Sequence, residues 1–399
     1  MRSTGTCRPV FIFRSAAALC CATALAVILA AASLPARAEV LLPEQRDGPA
    51  KQDMEQQQLP RATPAPDIAP GKDMADCLDN DDAQLRIVAC THAIEGKQVA
   101  GDDLAAAYYN RAIGYTLLRK YDAAINDFGQ TLKIKPGLPA ALVNRGTTQL
   151  RANRPMAAKQ DFDAALAKDP DNVDARYLRA WVAASQGKDN DAIADLGTLL
   201  KTHPDHLDAL LDRGGLYIRA GKFDEAIRDF TAMLKLDPKA AAGYYNRGRA
   251  RYAKGDYAGA ANDFASAMKA RDDNPYAALR LNLARQFAAH LQKKGKTEGD
   301  PAALKAAADK LLDEQWPVQI LRYFQNKTDA KAIFALIDKD YPVQGPALRC
   351  EVNYYLGQAA LLRGDRKAAV GYFKAAIATG SSSTIEYIDS NVTLKQLGA

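Results

Sequence analysis

Histidine is scarce in this 399-residue chain, with four in all, and only His203-Pro204-Asp205-His206 brings two close together. A metal site needs three or four ligands in fixed geometry. Here proline breaks the local helix and no Cys or third His lies nearby in sequence, so the pair reads as a surface turn and no metal is expected. His-Glu-x-x-His, Gly-x-Ser-x-Gly, a phosphate loop and a dinucleotide fingerprint are all missing. No catalytic residue, cofactor or small-molecule substrate is therefore expected, and the chain does not read as an enzyme. Excess charge is missing as well. The formal +6 owes most to the first 38 residues, which hold Arg2, Arg8, Arg14 and Arg37 and no acid. Without them 49 basic residues face 47 acidic ones, which leaves no electrostatic footprint for nucleic acid. Cysteine is sparse too: past residue 38 only Cys77, Cys90 and Cys350 remain.

What is present is a period of 34. Pro136, Pro170, Pro204 and Pro238 stand 34 apart, and Ala124, Ala158, Ala192, Ala226 and Ala260 keep the same register. Four residues after each alanine comes Phe128, Phe162, Leu196, Phe230 or Phe264, and Ala112, Gly146, Ala180, Gly214 and Gly248 supply a small column. This pattern resembles the tetratricopeptide (TPR) repeat, a helix–turn–helix unit. The resemblance implies an all-α fold: a right-handed superhelical TPR solenoid of antiparallel helix pairs, with five units over 105–272. The small residue and the alanine let two backbones approach, and the large apolar residue fills the space against the next unit. Gly187, Gly221 and Gly255 fall between helices, where a residue able to take positive φ ends the first helix. No unit buries its apolar face alone, so stacking supplies the core.

Two further columns carry charge. Arg111, Arg145, Arg179, Arg213 and Arg247 share one position of the first helix, and Asp127, Asp161, Asp195, Asp229 and Asp263 share one of the second. The arginine position is apolar in the common TPR pattern. An unpaired buried charge is costly, so an Arg–Asp ladder is expected, paired within a unit or across to the next. The competing reading, an array for an anionic ligand, is the weaker one because buried charges are normally paired.

Residues 1–38 read as a signal peptide. Arginines precede an apolar run from about Ala16 to Ala32, and Ala36-Arg37-Ala38 fits a cleavage site. Cys20 and Cys21 sit in no convincing lipobox, so cleavage and export to the periplasm are expected; a retained N-terminal anchor facing the periplasm is the alternative. Residues 39–72 are rich in Pro and Gln and read as a disordered linker. Residues 73–104 read as a helical hairpin turning at Asp79-Asn80-Asp81-Asp82. In an oxidising compartment a Cys77–Cys90 disulfide would staple it. Cys350 is then unpaired and most simply buried, with an intermolecular bridge still open.

Beyond the repeats, Asn274-Pro275 is a helix start, and irregular helices fill 273–345, at roughly 301–313, 317–325 and 329–339. A last TPR-like hairpin and a capping helix occupy 346–399, with Gly357, Gly364, Ala369 and Phe373 at the earlier offsets. Asp273-Asn274-Pro275-Tyr276, Trp316 to Phe324, Glu351 to Gly357, Gly364-Asp365, Phe373-Lys374 and Glu386-Tyr387 are similar to the NlpI family. That resemblance implies a periplasmic TPR lipoprotein that acts as a dimeric adaptor, bringing a carboxy-terminal processing protease to peptidoglycan hydrolases.

TPR solenoids bind on the concave face, lined by first helices. Tyr109, Asn110, Asn144, Tyr177, Trp181, Asp212, Tyr245, Asn246 and Arg249 are placed there as candidate partner-binding residues. Aromatic and amide side chains suit an extended peptide; the alternative is that the tyrosines pack against neighbouring first helices. The lysines of a carboxylate clamp are absent, which argues against capture of a C-terminal tail. The function expected is a non-enzymatic scaffold or adaptor for other envelope proteins, with a homodimer among the states allowed. The alternative is a structural module of a secretion or polysaccharide-export machine.

Overall fold

The computed structural model describes residues 73–271, 274–292, 299–312 and 316–399. The signal peptide and linker expected over residues 1–72 lie outside them. All regular structure among the described residues is helical. No described helix is long and apolar enough to cross a membrane. The chain forms two compact units, one ending at Leu216 and the other running from Tyr217 to Ala399.

The N-terminal unit opens with a short hairpin, α1 (Asp73–Asp79) and α2 (Ala83–Glu95). Its turn is set by side chains. Asn80 Oδ1 accepts the Asp82 N–H, and Asp82 caps α2 by accepting from the amides of Gln84 and Leu85. The disulfide expected between Cys77 and Cys90 is present, with an S–S distance of 2.06 Å. The bridge ties the two helices of the hairpin together, and both cysteines are buried with Ala89 and with Ala107 of the next helix. Three helix pairs follow: α3 (Gly101–Leu117) with α4 (Tyr121–Ile134), α5 (Pro139–Arg151) with α6 (Pro155–Lys168), and α7 (Val173–Ser185) with α8 (Asp189–Thr202). The unit ends within α9 (Leu207–Arg219).

The C-terminal unit holds the end of α9, then α10 (Phe223–Leu236) and the pair α11 (Ala241–Lys254) and α12 (Tyr257–Ala270). Asn274 caps α13 (Pro275–Leu291) by accepting from Tyr276 and Ala277. Short helices α14 (Pro301–Ala308), α15 (Val318–Phe324) and α16 (Ala330–Asp340) come next, α14 ending sooner than the sequence suggested. The pair α17 (Gly345–Leu362) and α18 (Arg366–Ala378) follows, and α19 (Ile385–Leu397) ends the chain. Cys350 is buried beside Thr384 Oγ1 at 3.3 Å, and burial pushes its thiol up to about 11. A thiol so placed is neither accessible nor ionised at neutral pH.

The repeat columns explain the packing. A Cβ added at Gly146 would stand 2.6 Å from the Phe162 ring, at Gly248 2.8 Å from Phe264, and at Gly357 2.6 Å from Phe373. Each ring thus lies on the small residue of its own pair. Phe162 also shares a cluster with Leu178 and Val182 of α7, so it fills the space toward the next pair as well. The turn position is left-handed at Gly187, Gly221 and Gly255 as expected. The same register is held by Arg119 at φ 57° and Asn153 at φ 58°, which carry a side chain where glycine is the unstrained choice.

The charged columns form a ladder within pairs. Arg111 binds Asp127 in bidentate fashion at 2.6 and 3.0 Å, Arg145 binds Asp161 at 2.8 and 2.6 Å, and Arg179 binds Asp195 at 2.8 and 2.6 Å. In the C-terminal unit Arg247 binds Asp263 at 3.0 and 2.8 Å. Arg213 and Asp229 fall on either side of the division between units. The spare guanidinium nitrogen reaches back one element: Arg111 to Thr91 and Arg247 to Thr231, each at 3.2 Å, and Arg179 to Asp163 at 2.9 Å. The Asp161 hydrogen bond and charge raise the Arg145 guanidinium above its ordinary value despite burial. For Arg111 burial pulls the other way and is outweighed by Asp127. Fork-to-fork pairing satisfies both partners, so these charges are structural.

Candidate partner-binding face

First helices place their inward-facing residues in a row, and in the N-terminal unit that row is laced together by side-chain hydrogen bonds. Asn144 Nδ2 of α5 donates to the Tyr109 hydroxyl of α3 at 2.7 Å. Two pairs on, the Tyr177 hydroxyl of α7 donates to Asp212 Oδ2 of α9 at 2.8 Å. Both rungs span 35 residues, one repeat plus one position, because the two side chains sit side by side on successive first helices. Burial, partly offset by the Asn144 bond, pushes the Tyr109 hydroxyl up to about 12, so it stays protonated. The Tyr109 ring meets Phe128 edge-on at 5.6 Å, and the Tyr177 ring stacks on His206 at 5.3 Å. His206 also accepts the Ala209 amide at Nδ1, so one of the two histidines serves the turn into α9. Asn110 spends its amide on the Ala106 carbonyl of its own helix. Asn144 is buried, whereas Tyr109, Asn110, Tyr177, Trp181 and Asp212 each keep part of their surface exposed.

The equivalent row in the C-terminal unit is closed. Tyr245, Asn246 and Arg249, placed by sequence on an open face, are buried at 6, 8 and 7% exposure. The reason is α19, which sequence alone would set at the end of the stack. It lies back along α11: Arg249 grips Asp389 at 2.7 and 3.3 Å, and Gln396 Nε2 reaches the Ala253 carbonyl at 2.6 Å. Arg280 of α13 continues the 35-residue spacing by donating to the Tyr245 hydroxyl at 2.9 Å. It also meets the Tyr354 hydroxyl and Glu386 at 3.2 Å and Asp389 at 2.7 Å. Against burial, the two arginines hold the Asp389 carboxyl below its ordinary value. Nearby, Glu351 accepts from Trp316 Nε1 at 2.7 Å and Tyr276 at 3.0 Å, yet burial and the charge of Glu386 push it up to about 8. Sequence reading assigned no site role to Arg280, Tyr354, Glu386 or Asp389; Tyr354 and Glu386 entered only through the stretches that carry the family resemblance.

Among the described residues no cluster of three His, Cys, Asp or Glu side chains could hold a metal ion.

Comparison with known proteins bears on the fold. A family model of the tetratricopeptide repeat matches residues 143–197, 190–227 and 211–278. Among solved structures, MamA is 21% identical over 42% of this chain and 92% of its own, with a TM-score of 0.41. YrrB, described as a TPR protein with an unusual peptide-binding site, is 21% identical over 51% of this chain and 98% of its own, at 0.41. A tetratricopeptide repeat protein from Parabacteroides merdae is 18% identical over 73% of this chain and 98% of its own, at 0.44. No curated protein sequence matches the chain. Residues 143–278 therefore match tetratricopeptide repeats within a structure whose described residues are all-α helix pairs, a repeat type that serves protein–protein interaction.

Proposed function

We propose that this protein is a non-enzymatic adaptor of the cell envelope that holds an extended segment of a partner on the inner face of α3, α5, α7 and α9. The observation that carries the reading is the pair of hydrogen-bonded rungs in the N-terminal unit. The Tyr109–Asn144 and Tyr177–Asp212 bonds fix Tyr109, Tyr177 and Asp212, which remain partly exposed, against buried Asn144 and one another. Side chains fixed before binding lose little entropy when a peptide arrives, and rings with polar neighbours suit its backbone and side chains together. A periplasmic setting is supported by the signal-like residues 1–38 and by the Cys77–Cys90 disulfide, a bond that persists in oxidising compartments. An NlpI-like role, docking a protease or peptidoglycan hydrolase as a dimer, rests on the C-terminal resemblance and is part of the same proposal.

The test is a pull-down from envelope extracts with the exported protein and with a Tyr177→Ala, Trp181→Ala variant of wild-type helix content. Recovery of a protease or peptidoglycan hydrolase by the wild type, lost in the variant, is the expected result. Equal recovery by both would move the site off this face. A wild-type protein that retains no envelope partner would remove the adaptor reading.

A further inference from the structure

The C-terminal helix lies where a partner of the C-terminal unit would lie, and it is held by ion pairs as well as by apolar packing. The residues α19 buries are Glu386, Ser390, Val392 and Leu394, so its inward face is half polar. Its two acids, three residues apart on one face of the helix, meet two arginines of the first-helix row. Glu386 pairs with Arg280, and Asp389 pairs with both Arg249 and Arg280.

Those arginines are anchored from their own side of the groove. Tyr245 and Tyr354 accept hydrogen bonds from Arg280 and flank it with their rings, at 5.6 and 5.1 Å from the guanidinium. Asn246 Oδ1 accepts from Arg249 at 2.8 Å. Guanidiniums held by groove residues keep their aim whether or not α19 is in place, which is what a preorganised acid receptor requires. Nor does α19 fill the groove. A cavity of about 290 Å³ remains beside its last turn, with Tyr252, Phe287 and Leu361 in its apolar lining and Arg249, Asp389 and Gln396 among its polar lining. The link to α18 runs from Thr379 to Thr384 around Gly380-Ser381-Ser382-Ser383, and its hydrogen bonds are largely internal, as from Thr384 Oγ1 to the Ser381 carbonyl.

We propose that the inner face of α11, α13 and α17 is a receptor for a partner helix bearing two acids three residues apart, and that α19 is its occupant in cis. A partner's Glu-x-x-Asp helix binds by taking the place of α19, with Arg280 and Arg249 reading the two carboxylates and the cavity taking an apolar side chain. The site is separate from the face assigned above and stands or falls independently of it.

The experiment uses the full chain and a fluorescent peptide of residues 381–399. Binding in trans is reduced by the fraction of molecules whose groove is closed. A Glu386→Gln, Asp389→Asn variant, with the arginines untouched, should therefore bind the peptide at least about tenfold more tightly than wild type. A peptide carrying the same two changes should bind neither protein. In wild type, amides of α19 should exchange with solvent at least about tenfold faster than those of α17, through local opening. Three results would overturn the proposal. One is equal peptide binding by the wild type and by a double variant of wild-type helix content. Another is α19 exchanging no faster than α17, a readout that needs no variant to fold. The third is a wild-type dimer with exchanged α19 helices, which would make the occupant a second copy of this chain.

Discussion

The same row of first-helix positions is treated in two ways in this molecule. In the N-terminal unit it stays partly open, and its cross-links are Tyr109–Asn144 and Tyr177–Asp212. In the C-terminal unit the corresponding Tyr245 is paired with Arg280, and an added helix supplies Glu386 and Asp389 to match Arg280 and Arg249. An arginine on the inner face can be left in water or covered by a partner of opposite charge; this chain covers it. One substituted register position, Asn144 or Asp212 against Arg280, separates a row that stands open from one that has recruited its own ligand.

That contrast is sharpest if the central arginine is removed. Arg280→Met should strip the pairing from Glu386 and leave Asp389 with one arginine, lowering stability by about 3–5 kcal/mol in urea unfolding, since an orphaned buried charge is expensive. Asp212→Asn in the open row should cost about 1 kcal/mol or less, because its partner is partly solvated. Comparable losses would mean that the two rows are not energetically distinct. Removing the Cys77–Cys90 bridge by Cys→Ser changes should cost about 2–4 kcal/mol. The increase in hydrogen exchange should be confined to the N-terminal unit, around α1 to α3.

Packing should respond alike in both units. Gly146→Ala and Gly357→Ala each drive a methyl into a buried phenylalanine ring, and each should destabilise by about 1–3 kcal/mol in denaturant titrations. A large difference between them would show that one pair yields more easily.

The pH response should belong to the C-terminal unit. Folding raises the Glu351 carboxyl to about 8, so the folded protein keeps a proton that the unfolded chain loses above the ordinary carboxylate range. Wild-type stability should therefore fall as pH climbs from about 5 to 8. Glu351→Gln, which mimics the protonated form, should gain on wild type over that window by about 1 kcal/mol or more. A flat difference between the two would refute the assignment. The smallest effect is expected at Asn153→Gly, which relieves a left-handed backbone and should raise the midpoint by a change of about 0.5–1 kcal/mol at most.

Much of this was legible in residues alone. The helix pairs follow from the 34-residue columns, and the Arg–Asp ladder follows from setting charge in an apolar register. The turn at Asp79 to Asp82 is a matter of local capping. Left-handed Arg119 was hidden because arginine does not advertise that conformation, whereas Asn153, of a type that tolerates it, was legible only from its register with Gly187. The self-filled groove was hidden for a different reason: Arg249 and Asp389 lie 140 residues apart, and nothing local in α19 marks which surface it will cover.

The repeating unit is written into local residues, because small, aromatic and turn residues at a fixed spacing act on neighbours within one pair or the next. Which stretch of the inner face remains available is settled only in three dimensions. That depends on where the last helix comes to rest, and its resting place is chosen by burial of two acids against two arginines distant in the chain, a long-range pairing that no local period encodes.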